Sequence, residues 1–159
     1  MIPKSGNRFP AFAKPASAGE GRSDKIMRKQ NTMPVKDWLP AAVRAASVDR
    51  TLKVGEALFR LGDKTTGVCE IVAGRVRLAR VDRAGHEIVL HVAGPGETFA
   101  EASLFAGHYH CDAIASTDAV VRIYPKTAVL AAFDKDRAAA QAFTATLARQ
   151  VMNLRTRIE

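Results

Sequence analysis

The chain has 159 residues, 47% of them apolar, a length and composition that fit one ordinary domain with a core and a tail. Its net charge of +8 would point to nucleic acid or an anionic surface if it covered a folded face. It does not, because residues 1–36 hold eight Lys or Arg against only Glu20 and Asp24, and the remainder is close to balanced.

Residues 1–36 mix Pro3, Pro10, Pro15 and Pro34 with glycine, serine and lysine and show little hydrophobic periodicity, so a disordered basic tail is predicted. Its acid-poor composition overlaps that of a transit peptide, but it has few of the apolar residues an amphipathic helix needs. The chain has neither an apolar run of about 18 residues nor a secretory h-region, which predicts a cytoplasmic protein without membrane association. Cys69 and Cys111 stand far apart with no CxxC spacing and are read as reduced thiols.

From residue 37 the character changes. DWLPAAVRAA starts with Asp37 as a possible cap, carries Pro40 in a first turn and spaces Leu39, Val43 and Ala46 helically. Short alternating runs follow: TLKVG, EALFRLG, GVCEIVAG, RVRLARVDRAG and HEIVLHVAGPG. In RVRLARV the period of two sends Val76, Leu78 and Val81 toward a core and Arg75, Arg77 and Arg80 outward. Gly74 and the DRAG turn ending at Gly85 supply positions that close successive antiparallel strands. CDAIAST and AVVRIYP are read as two further strands. Many short strands at this spacing predict a mainly β sandwich or barrel over 37–134.

Pro125 opens a short helix, KTAVLAAF, and the segment over 135–159 reads as one long helix free of Gly and Pro. Phe143, Leu147, Val151, Leu154 and Ile158 form an apolar stripe along it. The first two are expected to pack on the chain's own barrel. The last three lie beyond its reach and predict a homodimer seam between partner helices.

AGHYHCDAI (106–114) crowds potential ligands. A metal-dependent, cupin-like enzyme would use His108, His110 and Cys111, with His86 from upstream, but an extended strand sends alternate residues to opposite faces. The plainer reading has His108 and Tyr109 capping a loop, His110 solvated and Cys111 filling space. A hydrolase built on Ser103 or Ser116 lacks a G-x-S-x-G elbow.

The series GEALFRLGD (55–63), GVCEIVAGRVRL (67–78), a turn at Gly85 and GPGETFAEASLF (94–105) resembles the cyclic nucleotide-binding domain. The long helix is similar to the dimerisation helix of Crp/Fnr-type bacterial transcription regulators. The resemblance implies a double-stranded β-helix, or jelly roll, flanked by short helices and followed by a long dimerisation helix. It implies an effector pocket at Phe99, Ala100, Glu101, Ala102, Ser103, Leu104, Cys111, Asp112 and Ala113, with Glu101 on a ribose hydroxyl and no catalytic residue or metal.

Two departures stand out. Cys111 and Asp112 occupy the positions of the family's phosphate-clamping arginine and its Ser or Thr, and Ala100 replaces the glycine before the glutamate. Loss of a buried charge partner costs about 2 to 5 kcal/mol of binding, and a carboxylate about 4 Å from a phosphate adds repulsion of about 1 to 4 kcal/mol. A sensor with an unknown small effector, and without tight cyclic AMP binding, is therefore expected. An effectorless dimerisation module is the other non-enzymatic possibility. DNA would be read only by a helix-turn-helix after the long helix, and the pattern breaking off at Glu159 predicts truncation before such a domain.

Overall fold

The computed structural model describes residues 38–156. The tail over 1–36, the cap at Asp37 and the last seam residue, Ile158, lie outside the described residues.

A short helix α1 (Ala41–Ala45) begins behind Pro40, whose φ of −57° suits a helix start although no side chain caps it. Eight strands follow: β1 (Val48–Leu52), β2 (Ala57–Phe59), β3 (Gly67–Ala73), β4 (Val76–Val81), β5 (Glu87–Ala93), β6 (Thr98–Phe99), β7 (Asp112–Ala115) and β8 (Ala119–Pro125). A 3-10 helix, Glu101–Phe105, interrupts them between β6 and β7. Two helices close the described chain, α2 (Lys126–Lys135) and α3 (Arg137–Thr156).

The strands form two antiparallel sheets, in the orders β1-β8-β3-β6 and β2-β7-β4-β5. Two four-stranded sheets with this crossing connectivity make the jelly roll that the resemblance implied. Between the sheets lies one core, including Leu52, Phe59, Ile71, Val76, Phe99 and Val121. A second core joins the helices to the outside of the first sheet through Trp38, Val68, Leu104, Tyr124, Val129 and Phe143.

Close backbone approach explains two of the glycines. A Cβ on Gly67 would run into the carbonyl oxygen of Tyr124, and Gly74, at φ +78°, would meet that of Asp118. Gly67 therefore lets the start of β3 lie close against the end of β8, and Gly74 lets the chain turn from β3 into β4.

The alternation in β4 holds for only half of its length. Val76 is fully buried, but Ala79 is buried and Val81 is 62% exposed, against the expected inward Val81. The ladder with β5 slips between Leu78 (opposite His91) and Ala79 (opposite Val89). The extra residue, Leu90, makes a bulge, and a bulge shifts the in-out phase of everything beyond it.

Candidate functional site

The 3-10 helix is placed by two contacts. Ser103 Oγ donates to the Gly67 carbonyl at 2.9 Å, which ties the helix to the start of β3. Leu104 sits in the second core, where the opposite side of the same turn packs on α2, and Phe105 approaches Phe143 of α3. Ala100 precedes it in a left-handed conformation, φ 65° and ψ 25°, the one non-glycine residue with positive φ among the described residues.

This geometry leaves a cavity of about 200 Å³ between the 3-10 helix, β2, β4 and the loop before β7. Ala100, Glu101, Ala102 and Ser103 form one wall, Phe59 and Leu78 another, and His108, Tyr109, His110 and Cys111 the third. Glu101 is buried, and its Oε1 accepts a 2.6 Å hydrogen bond from the Thr98 hydroxyl. Such a carboxylate is an acceptor-only group, suited to a ligand hydroxyl or amine.

Tyr109 stacks on Phe59 with ring centroids 3.6 Å apart and planes within 4° of parallel. Its hydroxyl reaches Thr66, with 2.9 Å to the Thr66 Oγ1. The stacked pair also walls a second cleft of about 370 Å³, which opens between the edge strands β1 and β2 and is lined by Arg50, Lys64 and Ile123 among others.

The two thiols differ in setting. Burial pushes the Cys69 thiol far above its ordinary range, and the Glu101 carboxylate adds to the effect. Cys111 is also raised, first by burial and then by Asp112, with Arg80 opposing. Neither has the electropositive surroundings of a reactive cysteine.

Residues 49–136 match the family described as the cyclic nucleotide-binding domain, more than half of the chain. The chain belongs to this family. Similar solved structures include the catabolite activator protein of Thermus thermophilus, with a TM-score of 0.67 and 26% identity, covering 79% of this chain and 62% of that one. The sensor domain of the transcriptional regulator DNR from Pseudomonas aeruginosa gives 0.63 and 27%, covering 74% and 77%. The N-terminal domain of a transcriptional regulator from Streptomyces coelicolor A3(2), 24% identical with a TM-score of 0.64 over 82% and 94%, shares the fold. The chain thus spans about three fifths of the Thermus protein's length. Comparison with curated proteins gives no match.

Within the cyclic nucleotide-binding fold, the nine positions taken from the family divide. Ala100, Glu101, Ala102, Ser103 and Cys111 line the cavity, whereas Phe99, Leu104, Asp112 and Ala113 do not. Phe99 and Ala113 face the inter-sheet core, and Leu104 belongs to the helix core. Asp112 is engaged elsewhere: its Oδ1 accepts the Leu61 N–H at 2.7 Å and its Oδ2 lies 3.3 Å from Arg60 Nη1. These partners offset the Asp112 charge in part, although it is still felt at the neighbouring Cys111 thiol.

Phe59 and Leu78 are cavity residues that sequence reasoning left out. Their only signal was a period-two position in a strand, which marks core and cavity walls alike. The metal alternative does not assemble. His108, His110 and Cys111 share the cavity wall, but His86 pairs with Asp82 at 3.4 Å in the β4–β5 turn. Among the described residues no three His, Cys, Asp or Glu side chains converge to hold a metal.

Proposed function

We propose that the chain is a non-catalytic, cytoplasmic effector-sensing domain of a Crp/Fnr-type regulator that does not bind cyclic AMP tightly. The observation that carries this reading is the composition of the cavity. A buried Glu101 offers an acceptor for a ligand hydroxyl, and Cys111 lines the cavity as an uncharged thiol at the position to which the resemblance assigns an anion-clamping arginine.

The relay from effector to partner would run through the 3-10 helix. Glu101 and Ser103 face the cavity side, and Leu104 and Phe105 contact the helices, with Phe105 and Phe143 ring centroids 6.3 Å apart. A ligand that shifts this one short turn shifts the base of α3, which is the element that would set the geometry of a homodimer. DNA recognition is assigned to a further domain, and no specific DNA binding is expected of this chain.

Calorimetry with cyclic AMP and cyclic GMP tests the reading. No saturable binding at micromolar concentration is expected for the wild-type chain, and the variant Cys111→Arg should gain affinity by about tenfold or more, the order of one restored charge-assisted bond. Micromolar binding by the unaltered chain would sink the reading.

A further inference from the structure

The cleft between β1 and β2 follows from how the first sheet ends. The β1–β8 ladder sets Val48 opposite Ile123, and the β3–β8 ladder sets Ile123 opposite Cys69. Cross-strand partners share a face, so these three side chains form one apolar row, and all three line the cleft. The inner end of the row is sealed, with Cys69 1% exposed, whereas Val48 at the sheet edge is 62% exposed. The facing edge strand, β2, has only three residues and leaves that outer end open. The space of about 370 Å³ falls within the range of about 300 to 1,000 Å³ common for small-ligand sites.

The charges along this cleft are unbalanced. Arg50 and Lys64 line it with Asp63 as their one acidic companion, which leaves one net positive charge. Arg50, two residues before Leu52 and on its side of β1, reaches across the gap: its Nη1 donates to the Leu58 carbonyl at 3.2 Å, and the rest of its guanidinium has no partner among the described residues. The Lys64 ammonium has none either. Asp63 is turned to its own loop, where its Oδ2 accepts the Arg60 N–H at 2.8 Å. Residues 1–36 of the same chain, with eight Lys or Arg against Glu20 and Asp24, carry the wrong sign to fill such a site.

We propose that this cleft is a binding site, separate from the effector cavity, for a small amphiphilic carboxylate, its head at Arg50 and Lys64 and its hydrocarbon body along Val48, Leu58 and Ile123. A guanidinium fork matches a carboxylate with two parallel hydrogen bonds. One net positive charge suits a monovalent head better than a phosphate, whose charge approaches −2. The hydrocarbon body removes from water the apolar surface that the short β2 leaves bare, which is the larger share of the binding. The site does not depend on what the neighbouring cavity takes.

The test is an NMR titration of the isotope-labelled chain with acetate, butanoate, hexanoate and octanoate. Phe59 and Tyr109 wall both spaces, so the readout comes from residues that line only one: Arg50, Leu58 and Lys64 for the cleft, Glu101 and Ala102 for the effector cavity. Affinity at the cleft should rise about fourfold per added methylene while the chain still fits, the order of one buried CH₂, and should fall with salt. Hexanol, the same body without the charge, should bind about tenfold more weakly than hexanoate. Arg50→Gln and Lys64→Gln should each weaken hexanoate about fivefold, and Lys64→Gln does so without touching the Arg50 bond to Leu58. Val48→Glu, at an exposed position, should abolish binding, and Lys53→Gln, whose ammonium pairs with Asp118 at 3.0 Å, should change nothing.

Equal affinity for acetate and octanoate would overturn the amphiphile class. Affinity unchanged in both Arg50→Gln and Lys64→Gln would overturn the placement of the head. Shifts confined to Glu101 and Ala102 would put the carboxylate in the effector cavity and overturn the cleft site. No saturable shift in the wild-type chain would overturn the proposal outright and leave Arg50 as an inward-pointing charge that guards an edge strand. None of these outcomes bears on cyclic nucleotide affinity, which the calorimetry reads by itself.

Discussion

Ala100 holds a conformation that L residues rarely adopt. At φ 65° its Cβ crowds the following carbonyl, a cost of about 1 to 2 kcal/mol that glycine does not bear. Ala100→Gly should therefore stabilise the fold by about 1 kcal/mol after the extra chain entropy of glycine is subtracted, read as a higher denaturant midpoint at unchanged m. An unchanged or lower midpoint would mean the surroundings have relaxed the strain. The identity of this residue was legible in the sequence, but its consequence was not. A departure from the family glycine reads as a change in chemistry until the backbone angle shows it to be a change in strain. Asp112 is the converse. Its charge was legible, and its partners Leu61 and Arg60 come from fifty residues away, across a β2–β7 pairing that no local pattern displays.

At the scale of elements, the strands and their turns were readable because glycine punctuation and period-two alternation are local. The phase slip in β4 was not readable, because it is imposed by the extra residue in its partner β5. Pairing also decides which charges matter. In the β1–β8 ladder Asp49 lies directly opposite Arg122, and the two form a two-point ion pair at 2.8 and 2.9 Å. The Arg122 hydrogen bond holds the Asp49 carboxyl below its ordinary value, outweighing the opposing effect of burial. A carboxyl lowered in the folded state stabilises above its unfolded pKa of about 3.9, and that contribution is lost as pH falls through the lower folded value. Asp49→Asn should thus destabilise the protein at neutral pH and flatten the acid limb of its stability profile, the difference from wild type vanishing only once the pH is below the lowered folded pKa of Asp49. Parallel acid limbs for the two proteins would show that the pair contributes nothing, as many exposed ion pairs do.

At the scale of the whole molecule, the apolar stripe of α3 separates into two parts with different partners. Phe143 is 3% exposed and packs on Trp38 with ring centroids 4.8 Å apart, and Leu147 rests on the same core. Both pack within their own domain. Val151 and Leu154 are 49% and 57% exposed, with Met152 beside them at 63%. Stripe periodicity alone could not divide these residues, because a helix presents the same spacing to its own core and to a partner. The division makes the dimer testable without confusing association with folding. Phe143→Ala should cost about 3 to 5 kcal/mol of stability, measured by thermal or denaturant unfolding, because it empties a packed aromatic site. Val151→Asp removes apolar contact and sets two carboxylates facing each other across a two-fold seam, so sedimentation should shift toward the monomer. In the monomer the β-sheet signature should remain, since Val151 lies outside the buried cores. A Val151→Asp protein that sediments as the wild type does would place any dimer contact elsewhere than on this face of α3.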